Sequence, residues 1–314
     1  MNADVAIFLS VAALVITVLA WVRFVVAEEL TESKSTALST IGFVSVGVAV
    51  WNIFVSSGDL TLLLIIGTLL SLLVYLAGLY FANQEITNQG RGYFWPLVAI
   101  FIVRTFLFEP YQIPSGSMMP GLKVGDFLLV DKNSYGYKIT RIGDPFASKA
   151  DPNYGDVVVF VPKHNPVPYV KRLIGMPGDK IRIINKQVYV NGQTIKKTFY
   201  KTEEELITKR YRDLSGKITV KESDVIVDYF YEEHGNRKYL TRNIRGENIQ
   251  YPSEWEVPEG HYFVMGDNRD NSNDSTKDVG FVPRENFFGE ASYLFMTWEC
   301  WVCLPYFSRV GTIN

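Results

Sequence analysis

The sequence predicts two architectures in succession: transmembrane helices, then a mostly antiparallel β domain with a smaller inserted β module. Three observations carry this reading. Long apolar runs are confined to the first third of the 314 residues. Beyond residue 109 they give way to short alternating or β-branched runs, bounded by Gly, Pro and Asn. No βαβ rhythm of roughly 30 residues appears, so the strands are expected to pair antiparallel.

The front of the chain, 1–108, holds four apolar runs, at 5–26, 37–55, 60–81 and 93–108. A crossing needs about 20 apolar residues. The first run is broken only by Ser10, Thr17 and Arg23, and its leader Met1-Asn-Ala-Asp4 lacks the positive charge of a cleavable signal peptide. The second contains Ser, Gly and Asn52, and the polar turn at 56–59 separates it from the third. The fourth is short, with Tyr93 and Trp95 as interfacial anchors and Arg104 able to snorkel outward. Arg23 and Lys34 lie in the first loop and Arg91 in the third, whereas the N-terminal tail and the turn at 56–59 carry no Lys or Arg. Positive loops stay cytoplasmic. Four crossings therefore place the N-terminus and everything after Phe108 outside; without a crossing at 37–55 the large domain would face the cytoplasm.

The β half comprises 109–195 and 252–314. Strands are expected at 126–130, 156–161, 169–174, 180–184, 187–190 and 261–265. Asn191-Gly192 signals a hairpin and Pro177-Gly178-Asp179 a turn. Residues 196–251 are more charged and less regular, and read as an inserted or peripheral module. The tail at 293–307 is rich in aromatics (Phe295, Trp298, Trp301, Tyr306, Phe307), either as an edge of the core or as an interfacial patch against lipid.

A net charge of −2 and a pI near 6.0 exclude the basic face that a nucleic-acid partner requires. Cys300 and Cys303 form a C-x-x-C pair with no nearby His or Cys to complete a four-ligand zinc site. They read as a disulfide or as two thiols. No metal or cofactor is expected, and no feature sets an oligomeric state.

Three constellations compete for chemistry. A Ser-His-Asp triad would draw on His164, His234 or His261, none of which sits in a recognisable motif. Calcium binding by the Asp-rich loop at 267–274 fails on the loop rule. Counted from Asp270, position six is Ser275 where Gly is needed, and position twelve is Phe281 where Glu is needed. The bland reading of that loop is Asx turns with an Asp–Arg269 pair. The third constellation is a serine activated by a lysine. Pro110, Pro114 and Pro120 prevent a helix at 109–122 and present Ser115 and Ser117 on a stiff segment, as turn residues or as a nucleophile. Lys171 shares an expected strand face with Tyr169 and Leu173. A base must be neutral, and an ordinary lysine pKa near 10.4 leaves about one in a thousand or fewer neutral at pH 7, so the site must be apolar enough to lower it.

Taken together, the motifs resemble the bacterial type I signal peptidases (leader peptidases). The matching pieces are Ile113-Pro-Ser-Gly-Ser-Met-Met-Pro120, Gly155-Asp-Val-Val-Val-Phe160, Tyr169-Val-Lys-Arg172 with Gly175-x-Pro-Gly-Asp179, Gly266-Asp-Asn-Arg-Asp-Asn-Ser272 with Gly280-Phe-Val-Pro283, and Ser308-Arg-Val-Gly311. They cover the chain from about residue 93 onward. The resemblance implies a signal-peptidase-like, mostly antiparallel β fold and a membrane-bound serine endopeptidase. Its substrates would be signal-peptide-bearing preproteins, cleaved at the outer face of the bacterial inner membrane after an Ala-x-Ala-type site. It implies Ser117 as nucleophile, Lys171 as general base, and Ser272 as the hydroxyl that hydrogen-bonds and orients the lysine. The Ser117 backbone N–H and the Ser115 hydroxyl would form the oxyanion hole. Tyr111, Ile113, Met118, Leu122 and Val170 match pocket-lining positions, and Asp267, Arg269 and Asp274 match structural supports. Two departures stand out. Gly121 replaces a common Thr, and Thr276-Lys277 replace an expected Arg after Asp274, with Lys277 as its substitute. The alternative is a non-catalytic, membrane-tethered β domain that binds or scaffolds exported proteins.

Overall fold

The computed structural model describes residues 3–55, 61–137, 147–148, 150–163, 167–212, 218–247, 251, 254–300 and 302–313. The expected turn at 56–59, His164 and Trp301 lie outside them. The chain divides into two compact units, Met1–Thr105 and Phe106–Asn314.

The first unit holds α1 (Ala3–Val26), α2 (Glu32–Val55), α3 (Thr61–Tyr80) and α4 (Gln84–Ile102). Among the described residues three stretches, Val5–Val26, Glu32–Asn52 and Leu63–Tyr80, are long and apolar enough to cross a membrane. Phe8, Phe43 and Leu73 stay exposed on their helices, as side chains do when the surrounding solvent is hydrocarbon. The run expected at 93–108 is placed differently. Its helix begins nine residues earlier, because the Asn83 side chain caps the Glu85 and Ile86 N–H groups. It then continues through Pro96 and ends in a π turn, Val103–Leu107, before Phe108 enters a strand. Reading apolar residues alone found only the apolar half of this helix.

The second unit is built on a sheet in the order β1-β2-β16-β5-β6-β14-β15, with every neighbour antiparallel. Its strands are β1 (Phe108–Gln112), β2 (Asp126–Asp131), β5 (Val157–Phe160), β6 (Tyr169–Gly175), β14 (His261–Met265), β15 (Val282–Pro283) and β16 (Phe287–Thr297). The short β17 (Gly311–Thr312) pairs with β16, and β3 (Gly136–Tyr137) pairs with β4 (Ala147–Ser148). The unbroken apolar run of β5 is explained by burial on both faces. Val157 and Val159 join Ile113, Met118, Leu122 and Phe288 in one cluster, while Val158 and Phe160 join Leu173, Tyr262 and Phe287 in the other.

A smaller sheet in the order β13-β7-β8-β9 takes β7 (Lys180–Ile184), β8 (Gln187–Val190), β9 (Gln193–Thr194) and β13 (Trp255–Glu256). Asn191 (φ 52°) and Gly192 (φ 79°) make the hairpin turn that their dipeptide signals. Residues 196–251, read from the sequence as a more charged and less regular inserted β module, hold a third sheet of long strands. β10 (Lys196–Arg212) pairs with β11 (Ile218–His234), which pairs with β12 (Arg237–Ile244). The strand β16 also escapes the sequence reading, although it lies centrally between β2 and β5. Its register shifts between Phe287 and Gly289, Ala291 and Tyr293, and Leu294 and Met296. Each bulge resets the period of two on which strand recognition rests. The aromatic tail therefore divides. Tyr293 and Phe295 belong to this strand, whereas Val302 is exposed within the Cys300–Cys303 disulfide loop and Leu304 and Phe307 are exposed beyond it.

Candidate active site

Ser117 sits in a single 3₁₀ turn, Gly116–Met118, entered through the extended Ser115 (φ −138°, ψ 156°). Met118 anchors the turn by inserting into the core at 1% exposure, with Ile113 and Leu122 buried in the same cluster. Tyr111 and Val170 pack half-buried against that cluster. Two carbonyls of the turn are fixed from outside. The Asn268 N–H donates to Ser117 O at 3.0 Å, and Asn268 Nδ2 donates to Gly116 O at 2.9 Å.

Lys171 comes from β6, opposite Val158 of β5. Its Nζ lies 2.7 Å from Ser117 Oγ, donates to Val170 O at 3.0 Å, and is 5.3 Å from the Tyr169 ring centroid. Burial leaves the side chain 4% exposed and lowers its pKa from 10.5 to about 8, against the opposing pull of Asp274 and Asp267. Ser115 Oγ is 3.4 Å from Ser117 Oγ, on the exposed side of the turn. A hydroxyl, a desolvated amine and a second hydroxyl thus converge at one point.

The loop after β14 supports this site. Gly266 is required by close approach, since an added Cβ would lie 2.3 Å from Ser272 Oγ and 2.5 Å from Ser117 O. Asp267 takes a bidentate pair from Arg172, at 2.8 Å from Nε and 2.7 Å from Nη2, while Arg172 also donates to Gly155 O. Tyr239 stacks on the Arg172 guanidinium at 3.7 Å. Asp274 accepts from the Gly266 N–H at 2.9 Å and from Thr276 N and Oγ1.

Several expected contacts are replaced. The Ser272–Lys171 hydrogen bond is not made: Ser272 Oγ is buried without a hydrogen-bond partner among the described residues, and the Lys171 amine is turned to Ser117 and Val170. Lys277 does not stand in as a partner of Asp274 but donates to the Ser272 carbonyl at 2.7 Å, and Thr276 satisfies the carboxylate instead. The expected Asp–Arg269 pair is split, with Asp267 held by Arg172 and Arg269 by Glu232 of β11. Asp270 is engaged by Lys186 Nζ at 2.9 Å and the Ile244 N–H at 2.6 Å. His234 contacts Ile174 O and His261 contacts Glu259 O, so neither described histidine is spent on Ser117. Sequence reasoning missed Asn268, Arg172 and Glu232. The first two lie inside quoted motifs, whereas Glu232 gives no signal in the sequence.

The signal peptidase, peptidase S26 family model matches residues 86–298. The chain belongs to this family. The family's signal peptidase I from Pseudomonas fluorescens is 38% identical over 249 residues, covering 74% of this chain and 81% of that protein. Signal peptidase I from Buchnera aphidicola subsp. Acyrthosiphon pisum is 37% identical over 265 residues, covering 74% and 83%. A crystal structure of a signal peptidase I from Enterococcus faecalis V583 is 25% identical. The match covers 46% of this chain and 98% of that one, with a TM-score of 0.26, too low to bear on the fold. As a member of the signal peptidase family the chain is a serine endopeptidase, and its apolar helices mark it as a membrane protein.

Proposed function

We propose that the chain removes signal peptides from exported preproteins by a Ser117/Lys171 dyad, cutting after an Ala-x-Ala-type site. The observation that supports this most is the 2.7 Å contact between a buried amine and a half-buried hydroxyl. Neutral Lys171 accepts the Ser117 proton as Oγ attacks the scissile carbonyl, then delivers it to the leaving amine. The Ser117 N–H and Ser115 Oγ face the developing oxyanion, and Asn268 holds the turn that aims that N–H. Tyr111, Ile113, Met118, Leu122 and Val170 floor the small pockets for the two Ala side chains. Asp267, Arg269 and Asp274 hold the loop behind the lysine. Ser272 keeps an unspent buried hydroxyl, assigned to orient the amine as it takes up the proton.

We further propose that α4 is the fourth crossing, placing the β unit outside the inner membrane. Along the α3–α4 hairpin, Gly90 meets Tyr75 and Gly67 meets Leu97. The two helices thus run side by side over at least eight residues of α3, which is about 12 Å of axis. The polar first half of α4 is what keeps its mean hydropathy low. Membrane tethering of enzyme and signal peptide in one plane raises their effective concentration.

The test is cleavage of a preprotein carrying an Ala-x-Ala site by the detergent-solubilised chain, with the new N-terminus read by mass spectrometry. Cleavage after the second Ala that is lost in Ser117→Ala supports the reading. Equal activity in that variant refutes it.

A further inference from the structure

The catalytic loop leans on a carboxylate from the third sheet, an element that the proposed chemistry does not use. Glu232 of β11 is 1% exposed and accepts from Arg269 Nη2 through Oε2 and from Thr241 Oγ1 at 3.2 Å through Oε1. Arg269 is itself 5% exposed, and its Nε and Nη1 have no hydrogen-bond partner among the described residues. Glu232 is therefore the acceptor that holds this guanidinium in place, and its charge pushes the Arg269 pKa further up. The backbone repeats the connection. Arg242 N of β12 donates to Asp267 O at 3.0 Å, and Arg269 N donates to Arg242 O at 3.1 Å. Arg242 in turn is gripped by Glu205 of β10. Between Asp267 and Arg269 lies Asn268, whose two donors fix the carbonyls of Gly116 and Ser117.

We infer that Glu232 is a positioning residue for the peptidase reaction, acting through Arg269 and Asn268 to hold the Ser117 turn. The inference rests on the dyad reading above. Its physical basis is the cost of an unpaired buried charge. With Glu232 neutralised, the Arg269 guanidinium must find water, and the loop from 267 to 269 shifts to let it. Asn268 moves with that loop, so Ser117 Oγ and its N–H lose alignment with the scissile carbonyl. The pocket residues Ile113 and Leu122 lie outside that turn, and Met118 is locked into their cluster by its own buried side chain, so the substrate pockets keep their shape while Ser117 Oγ and its N–H shift. Such a displacement appears in kcat and leaves KM alone.

The experiment uses the full chain in detergent and compares native protein, Ser117→Ala, Glu232→Gln, Glu232→Met and the double variant Glu232→Met/Arg269→Met. Each kcat is measured per folded molecule, with the folded fraction taken from near-ultraviolet circular dichroism. Glu232→Gln is nearly isosteric and keeps the fold measurable if Glu232→Met does not. The expected result is a drop in kcat of about 10- to 100-fold for either single variant, with KM within about twofold of native. Lys197, 3.8 Å from Glu232 Oε1, keeps its bonds to Lys186 O and Asn243 Oδ1 in every variant, so the double variant, having no guanidinium to rehydrate, is expected to recover at least about tenfold over Glu232→Met. A native kcat per folded molecule in Glu232→Gln overturns the inference, and so does a double variant no better than Glu232→Met, the mark of a merely structural role. Loss of cleavage in Ser117→Ala keeps the dyad reading intact in either case. Native activity in Ser117→Ala overturns that reading and this inference together.

Discussion

At the scale of single residues, the site is defined by the cost of keeping an amine dry. Lys171 is read from the sequence as the lysine of an otherwise apolar strand face, and the fold sets its Nζ 2.7 Å from Ser117 Oγ. The depth of its burial is a tertiary fact, set by the strands β5 and β14 on either side. That burial has a consequence for stability. Between about 8 and 10.5 the folded amine binds fewer protons than the unfolded one, so stability rises with pH through that window and the burial cost is fully present below it. Lys171→Met is therefore expected to stabilise the chain at pH 7 by about 3 kcal/mol, at about 1.36 kcal/mol per pH unit. The gain should shrink toward pH 10.5, which denaturant midpoints of both proteins at the two pH values would show. Gly266→Ala acts in the opposite direction. A methyl group 2.3 Å from Ser272 Oγ must push the loop away, costing roughly 1–3 kcal/mol and most of the activity.

At the scale of elements, legibility followed regularity. The strand β7 was readable because its apolar residues alternate, and β5, β8 and β14 because they are short β-branched or aromatic runs, several of them bounded by clear turn signals. The strand β16 was not, since three bulges reset its pattern. The long strands β10 and β11 were hidden by charge. Glu203, Glu204 and Glu205 dilute their β-branched residues, and only pairing with a partner strand reveals the ladder. The same blindness concealed Glu232, which carries no motif and matters through what it touches. The loop after β14 was legible as a motif, but its partners came from other elements. Asp267 and Arg172 form a fully buried bidentate pair. Asp267→Asn, which leaves the guanidinium charge uncompensated, is expected to cost about 3–5 kcal/mol. Chemical unfolding of the full chain would measure this, and a change below about 1 kcal/mol would show that the pair is not what secures the loop.

At the scale of the whole molecule, the succession of apolar helices and an antiparallel β unit was legible from composition alone, because hydrocarbon and water select such different sequences. The fourth helix was the exception. Hydropathy saw only 93–108, while the Asn83 cap and the close contact of Gly90 with Tyr75 extend the helix back to Gln84. The proposed topology makes its own prediction. Protease added outside intact spheroplasts should digest the β unit and leave the N-terminal helices protected, whereas digestion only after lysis would place that unit in the cytoplasm.

The measurement that bears most directly on the central claim is the pH dependence of preprotein cleavage by the solubilised full chain under single-turnover conditions, beside Lys171→Met. The account predicts a rate rising about tenfold per pH unit below about 8 and levelling above it, with no cleavage by the variant at any pH. A rate that is flat between about pH 6 and 9 with chemistry limiting, or cleavage that survives in Lys171→Met, would contradict a lysine base.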